Sequence, residues 1–116
     1  HDAGDQVLKS IAQILKSNLR EYDHIGRFGG EEFMIIFTNT PVDLAISILE
    51  RCRKSIENYE LIYQDKMICF TASFGLSSSE QHGYDQEVLF QAADQALYQA
   101  KNSGRNRICT KAESLV

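Results

Sequence analysis

From Asp5 to about Leu19 the apolar residues Val7, Leu8, Ile11, Ile14, Leu15 and Leu19 recur at intervals of three and four. A single stripe at that spacing predicts an amphipathic helix. Gly4 and Asp5 stand where it begins, and an acidic residue there suits the positive end of the helix dipole. The period then changes. Ile25 and Phe28 precede Gly29-Gly30, and Phe33-Met34-Ile35-Ile36-Phe37 follows. A glycine pair between β-prone runs predicts a hairpin, because tight hairpin turns need positive φ. The second arm is almost unbroken in its apolar character, which predicts a central strand covered on both faces.

A second helix opens at Thr40-Pro41-Val42-Asp43. Thr40 is placed as N-cap, Pro41 takes the first helical position, and Asp43 falls at capping-box spacing. Leu44, Ala45, Ile48, Leu49, Cys52 and Ile56 form its predicted buried stripe. Residues 61–63 and 67–76 read as two strands joined by a turn at Gln64-Asp65-Lys66, and residues 77–86 as a polar loop. A third helix runs from Gln86 to Asn102, with Val88, Leu89, Ala92, Ala93, Ala96, Leu97 and Ala100 inward and Gly104 as its stop. Arg107-Ile108-Cys109 reads as a short closing strand. The order predicts an α+β fold, with helices on a mostly antiparallel sheet.

At 116 residues the chain is one domain by size. Residues 1–110 are assigned to it and residues 111–116 to a polar C-terminal tail. No apolar run reaches membrane-spanning length, and neither membrane contact nor a signal peptide is expected. The net charge of −4 argues against a nucleic-acid partner, which usually needs a basic face. A local cluster, Lys101, Arg105 and Arg107, still leaves room for a small phosphate-bearing ligand. Cys52, Cys69 and Cys109 lack the spacing of a zinc site or a disulfide framework. They are expected to be buried thiols, and the compartment reducing and cytoplasmic. His24 and His82 have no neighbours at metal-ligand spacing and are read as structural or exposed.

The sharpest chemistry lies at Gly29-Gly30-Glu31-Glu32-Phe33. Two glycines allow a ligand close to the backbone. Two carboxylates follow, and adjacent strand residues point to opposite faces, so at most one serves a given site. A carboxylate beside such a turn suits a magnesium ion carrying phosphate. A plain hairpin turn with two solvated glutamates fits these residues equally well. Asp5 reads as a helix-start acid, and Lys101 as a helix-end cation.

The five residues resemble the signature of the GGDEF family of diguanylate cyclases, in the variant with Glu in third place. His1-Asp2-Ala3-Gly4-Asp5 resembles the tail of that family's GHxxGD segment, and residues 98–106, Tyr98 to Asn106, its YxAKxxGRN segment. The motifs stand in the family's order and reach across nearly the whole chain. The resemblance implies a ferredoxin-like, nucleotide-cyclase palm-like fold and the condensation of two GTP into cyclic di-GMP, with magnesium or manganese, by a homodimer. It implies catalytic roles for Glu31, as metal ligand, and for its neighbour Glu32. It places Asp5 on guanine, Gly29 and Gly30 along the triphosphate, and Lys101 and Arg105 on the terminal phosphates.

Arg20-Glu21-Tyr22-Asp23 resembles the family's RxxD motif, where cyclic di-GMP restrains catalysis, with five residues between Asp23 and Gly29 as the family expects. Arg51 aligns with a position that joins this product site. The alternative within the same family is a non-catalytic domain that senses GTP or cyclic di-GMP. The family also carries, upstream of the position of His1, a strand with a metal-binding aspartate and an asparagine on guanine. Neither residue is in this chain. Glu31 alone is therefore expected to hold magnesium poorly, the chain as given to be a weak catalyst, and the longer native protein to carry the full site.

Overall fold

The computed structural model describes residues 2–110, and the tail assigned from sequence lies outside the described residues. The elements, in chain order, are α1 (Ala3–Asn18), β1 (His24–Arg27), β2 (Phe33–Ile36), α2 (Val42–Glu57), β3 (Leu61–Tyr63), β4 (Lys66–Ile68), β5 (Phe74–Gly75), α3 (Ser79–His82), α4 (Gln86–Asn102) and β6 (Ile108–Cys109). This is an α+β fold. The chain forms two compact units that divide after Phe70.

In the first unit α1 starts at Ala3, one to two residues before the expected start at Gly4 and Asp5. Asp2 is the N-cap, and its carboxylate accepts from the Asp5 N–H at 3.0 Å. Such a cap satisfies a donor that has no partner inside the helix. The helix packs on α2 and on β3. The core of the unit is the inner face of α2, where Ala45, Ile48, Leu49, Cys52 and Ile56 are buried together with Leu15 and Leu61. Leu44, placed in this stripe from sequence, is 44% exposed, because it falls at the stripe's edge.

The start of α2 departs from its expected cap. Pro41 is the capping residue, and no side chain caps the helix. The Thr40 hydroxyl is engaged elsewhere: it donates to the Thr38 carbonyl and accepts from Arg20.

Strands β1 and β2 form an antiparallel pair, with Arg27 opposite Phe33 and His24 opposite Ile36. Among the described residues each pairs only with the other. The expected strand covered on both faces is thus not found among the described residues: Phe33 to Ile35 are half-buried and Ile36 is 51% exposed, and β2 pairs on one edge only. The β3–β4 hairpin turns at Gln64 and Asp65, both with positive φ, and Lys66 belongs to β4.

The run 67–76 is not a single strand. Its first part pairs with β3, and its last part, β5, pairs in parallel with β6 in the second unit. The run changes partner, and residues 69–73 between carry no ladder. Cys69 falls in that stretch and is exposed, against expectation; Cys52 is buried and Cys109 half-buried, and all three are free thiols. Burial pushes the Cys52 thiol up to about 11, so it stays protonated and unreactive at neutral pH.

In the second unit α4 packs on β5 and β6, with Ala96 and Ala100 fully buried. Val88, assigned to its inner side, is 41% exposed, in the helix's first turn. Asp85 caps α4 by accepting from the Glu87 and Val88 N–H groups. The segment expected to be a loop contains the one-turn helix α3, capped by Ser78.

In this unit backbone meets backbone at Gly75. A Cβ there would overlap the Ala93 carbonyl oxygen and the Leu97 backbone, with the Leu97 Cα at 2.8 Å. Backbone cannot yield as a flexible side chain can. Gly75→Ala is therefore expected to destabilise the protein by about 1–3 kcal/mol, the usual range for overpacking. Urea unfolding should show a lower midpoint with an unchanged slope, and a wild-type midpoint would show that α4 does not sit on this backbone.

Candidate functional site

The glycine signature forms the turn between β1 and β2. The Phe28 N–H donates to the Glu32 carbonyl at 2.7 Å and closes the ladder around Gly29, Gly30 and Glu31. Gly29 has φ of +78°, which a side chain would disfavour. Gly30 needs glycine for neither reason available within the chain: its φ is not positive, and a Cβ would meet nothing within 4 Å. Its bare backbone therefore faces open space. Glu31 is exposed at the tip of the turn, and Glu32 is half-buried at its base. The two carboxylates are thus already distinguished by the loop.

Arg27 braces this loop. Its guanidinium donates to the Gly30 carbonyl, from Nε at 3.1 Å and also from Nη2. Sequence reading passed over Arg27. Its place two residues before Gly29, on the arm that pairs with Phe33, was the signal available. Asp5 lies in the first turn of α1 and is exposed.

Arg20 and Asp23 meet at the end of α1, but they meet each other. Arg20 Nε donates to Asp23 Oδ2 at 3.0 Å, Nη2 to Oδ1 at 2.8 Å, and the Arg20 backbone N–H to Oδ2 at 2.8 Å. Nη2 also reaches the Thr40 hydroxyl at 2.6 Å. The guanidinium lies over the Tyr22 ring, 4.7 Å from its centroid, and 5.9 Å from that of Phe37. The Asp23 side chain is fully buried, while that of Arg20 keeps 23% of its surface exposed. Arg51 reaches the same corner from α2, donating to the side-chain and backbone oxygens of Asn18. The structure thus gathers Arg20, Asp23 and Arg51 around one helix end, with the aspartate closed off by the arginine.

The second unit carries Lys101 and Arg105, both exposed. Lys101 is in the last turn of α4. Arg105 lies beyond the helix, so it is the loop, and not a four-residue helical spacing, that places it. Gly104, Arg105 and Asn106 all have positive φ, at 129°, 60° and 49°. Left-handed backbone is unfavourable for Arg and tolerated by Asn. The Arg105 N–H donates to the Ala100 carbonyl at 2.9 Å and the Asn106 N–H to the Ser73 hydroxyl at 3.1 Å. Among the described residues neither the Lys101 nor the Arg105 side chain has a hydrogen bond or ion pair. Arg107, grouped with them by sequence, is engaged: its Nε donates to the Arg105 carbonyl at 3.0 Å.

Among the described residues no three His, Cys, Asp or Glu side chains gather as a metal cluster. Glu31 offers one exposed carboxylate, a hard oxygen ligand. Magnesium takes one or two carboxylates and completes its shell with water and phosphate oxygens. The residues present therefore fit such an ion in the company of a triphosphate, and not as a closed protein cage.

Residues 1–107 match the family model described as diguanylate cyclase, GGDEF domain. The chain is 40% identical over 115 residues to diguanylate cyclase A of Treponema denticola, covering 99% of this chain and 31% of that protein. It is 40% identical over 114 residues to the response regulator PleD of Caulobacter vibrioides, covering 97% of this chain and 25% of that protein. The chain thus spans about a third of the first relative and a quarter of the second. Among solved structures, the active GGEEF domain of a diguanylate cyclase from Vibrio cholerae superposes with a TM-score of 0.84 at 36% identity, covering 98% of this chain and 72% of that one. The GGDEF domain of DgcB from Caulobacter crescentus in complex with c-di-GMP gives 0.86 at 28% identity, covering 95% and 66%.

The corner at Arg20 sets a pH prediction. Hydrogen bonds from Arg20 hold the Asp23 carboxyl below its ordinary value, against the opposing effect of burial. A carboxylate depressed by folding stabilises the native state at pH above its unfolded pKa, and that stability is lost as pH falls through the folded value. In a carbon-detected NMR titration Asp23 is expected to protonate below the ordinary carboxylate range of about 3.9. A midpoint at or above that range would show that the Arg20 pair does not persist in solution.

Proposed function

The chain belongs to the GGDEF family of diguanylate cyclase domains, and from that premise we propose that the protein condenses two GTP molecules into cyclic di-GMP. Two domains, each holding one GTP, face each other. Each ribose 3′ hydroxyl loses its proton and bonds to the α-phosphorus of the opposite GTP, while the bond to pyrophosphate breaks. Two phosphodiester bonds form and two pyrophosphates leave. Orientation of two bound substrates supplies much of such a rate, so the homodimer is part of the mechanism.

The observation that carries this reading is Gly30. Neither its φ nor any neighbour requires glycine, and its bare backbone opens to solvent beside an exposed carboxylate. That is the arrangement a triphosphate needs for close approach. In this reading Gly29 and Gly30 pass along the triphosphate, and Glu31 supplies the ligand for a magnesium or manganese ion that arrives with it. A divalent ion bound there would draw charge from the reacting phosphate. Glu32, half-buried at the base of the turn, supports the loop beside it. The Asp5 carboxylate accepts from the ring N–H and amine of guanine, a donor pair adenine lacks, and so selects the base. Lys101 and Arg105 hold the terminal phosphates, and their exposure, without partners among the described residues, leaves them available for anions.

The corner of Arg20, Asp23 and Arg51 is proposed to bind the product. Arginine offers donors to both phosphate and guanine. The exposed part of Arg20 meets the ligand first, and Asp23 accepts from guanine only once Arg20 swings away from it.

Two outcomes test these assignments in the full-length protein. Glu31→Gln is expected to lower turnover of GTP by at least about a hundredfold, as loss of a group aimed at developing charge does, and ATP is expected to give no cyclic product. Wild-type turnover in the variant would remove Glu31 from the chemistry. Arg20→Ala is expected to weaken cyclic di-GMP by about ten- to a hundredfold while sparing the initial rate. Equal affinity by calorimetry in the two proteins would mean that this corner is only a helix end.

A further inference from the structure

We propose that Arg107 is a positioning residue, which holds Arg105 in place for the terminal phosphates of the nucleotide; the inference rests on the assignment of Arg105 to those phosphates. Arg107 has the charge of a third phosphate ligand, and sequence alone groups it with Lys101 and Arg105. Its surroundings assign it differently. The guanidinium lies against the Cα of Gly104, so close that a Cβ there would overlap Nη2 and stand 3.0 Å from Cζ. From that seat Nε donates to the Arg105 carbonyl at 3.0 Å. Glycine at 104 is thus needed twice, for its φ of +129° and for the space the guanidinium occupies.

The loop requires a brace. Three successive residues, Gly104 to Asn106, have positive φ, and two of them carry side chains. Backbone held in such conformations persists only where its surroundings over-determine it. Contacts that do so include the Arg105 N–H on the Ala100 carbonyl, the Asn106 N–H on the Ser73 hydroxyl, and Arg107 on the Arg105 carbonyl. The first two tie the loop to α4 and to the approach to β5. The third is the only one of these made by an arginine side chain, and it acts on the residue whose own guanidinium is exposed. Removing it leaves the peptide between Arg105 and Asn106 held on one side only, by the Asn106 N–H on Ser73, which loosens the Arg105 backbone and with it the direction of the side chain.

The test is a coupling experiment on the full-length protein. Affinities for a non-reacting GTP analogue and for GMP are measured by calorimetry for wild type, Arg105→Ala, Arg107→Ala, the double variant and Arg107→Lys. Arg107→Ala is expected to weaken the GTP analogue by about five- to tenfold, a part of what a lost charge-assisted contact costs. GMP, which lacks the terminal phosphates, should bind as before; a general loss of structure would weaken both. In the Arg105→Ala background the same change should cost less than about twofold, because a brace is idle without the side chain it positions. Arg107→Lys keeps the charge and lacks the planar fork, and it should bind like Arg107→Ala. It also carries the comparison if the alanine variant does not fold.

Full rescue by lysine, or equal losses in both backgrounds, would make Arg107 a phosphate ligand in its own right and overturn the proposal. Unchanged GTP affinity in Arg107→Ala beside a clear loss in Arg105→Ala would overturn the proposal as well, by giving Arg107 no part in binding. Failure of Arg105→Ala itself to weaken the GTP analogue would instead reject the assignment of Arg105, and the proposal with it, a result distinct from the other three.

Discussion

At Gly75 the backbone of α4 rests directly on β5, with no side chain between them. The second unit follows from that contact. With α4 held against β5, and β6 paired in parallel with β5, both ends of the connection from Asn102 to Ile108 are fixed. The chain must leave the helix, reverse and enter the strand within a few residues. Right-handed backbone would continue the helix; left-handed backbone turns the chain at once. The run of positive φ at Gly104, Arg105 and Asn106 is the result, and it brings Arg105 out of the helix and into solvent. The first unit meets the same demand at the signature. The β1–β2 ladder closes at Phe28 and Glu32, so the turn between them is short and Gly29 takes the left-handed position.

Arginine does two kinds of work in these loops. Arg27 and Arg107 each donate to a backbone carbonyl inside a glycine loop, at Gly30 and at Arg105. A guanidinium suits this use because its planar fork is already organised and loses little freedom on bonding. Arg20 and Arg51 tie side chains and backbone at the end of α1. Arg105 and Lys101 are left exposed and without partners among the described residues. In an acidic protein of net charge −4 that division matters, since the charge available to an anion is local. Of the basic cluster near the C-terminus, Lys101 and Arg105 are thus left unengaged among the described residues, while Arg107 donates to backbone.

The Arg20–Asp23 pair sets the condition that the proposed product site must meet. The carboxylate is buried and its oxygens are already engaged by the arginine. A ligand that uses Asp23 must break these contacts first, and its net affinity is reduced by that cost. Thr40 extends the pair to the start of α2, and the Phe37 ring beside Arg20 follows directly on β2. The corner thus meets both ends of the connection from β2 to α2. Binding there has a physical route by which to act on the signature loop without occupying it.

Much of this molecule was legible in its residues because the relevant forces are local. Helix periodicity depends on neighbours three and four apart, and α1, α2 and α4 lie close to where the apolar stripes placed them. The hairpin at Gly29-Gly30 and the three motifs were readable for the same reason, since turn chemistry and motif spacing are written along the chain. Partners were not. Residues 67–76 look like a single β-rich run, and only tertiary structure shows that its ends pair with different strands. Thr40 looks like a cap, and it serves Arg20 instead. Arg107 carries the same charge as Arg105, and only the space over Gly104 separates a brace from a phosphate ligand. Strand pairing, burial and hydrogen-bond choice are set by groups distant in sequence, so no local pattern contains them. What the chain alone determined was its helices, its turns and its kinship; which side chains hold the fold and which are left for a ligand was decided by packing.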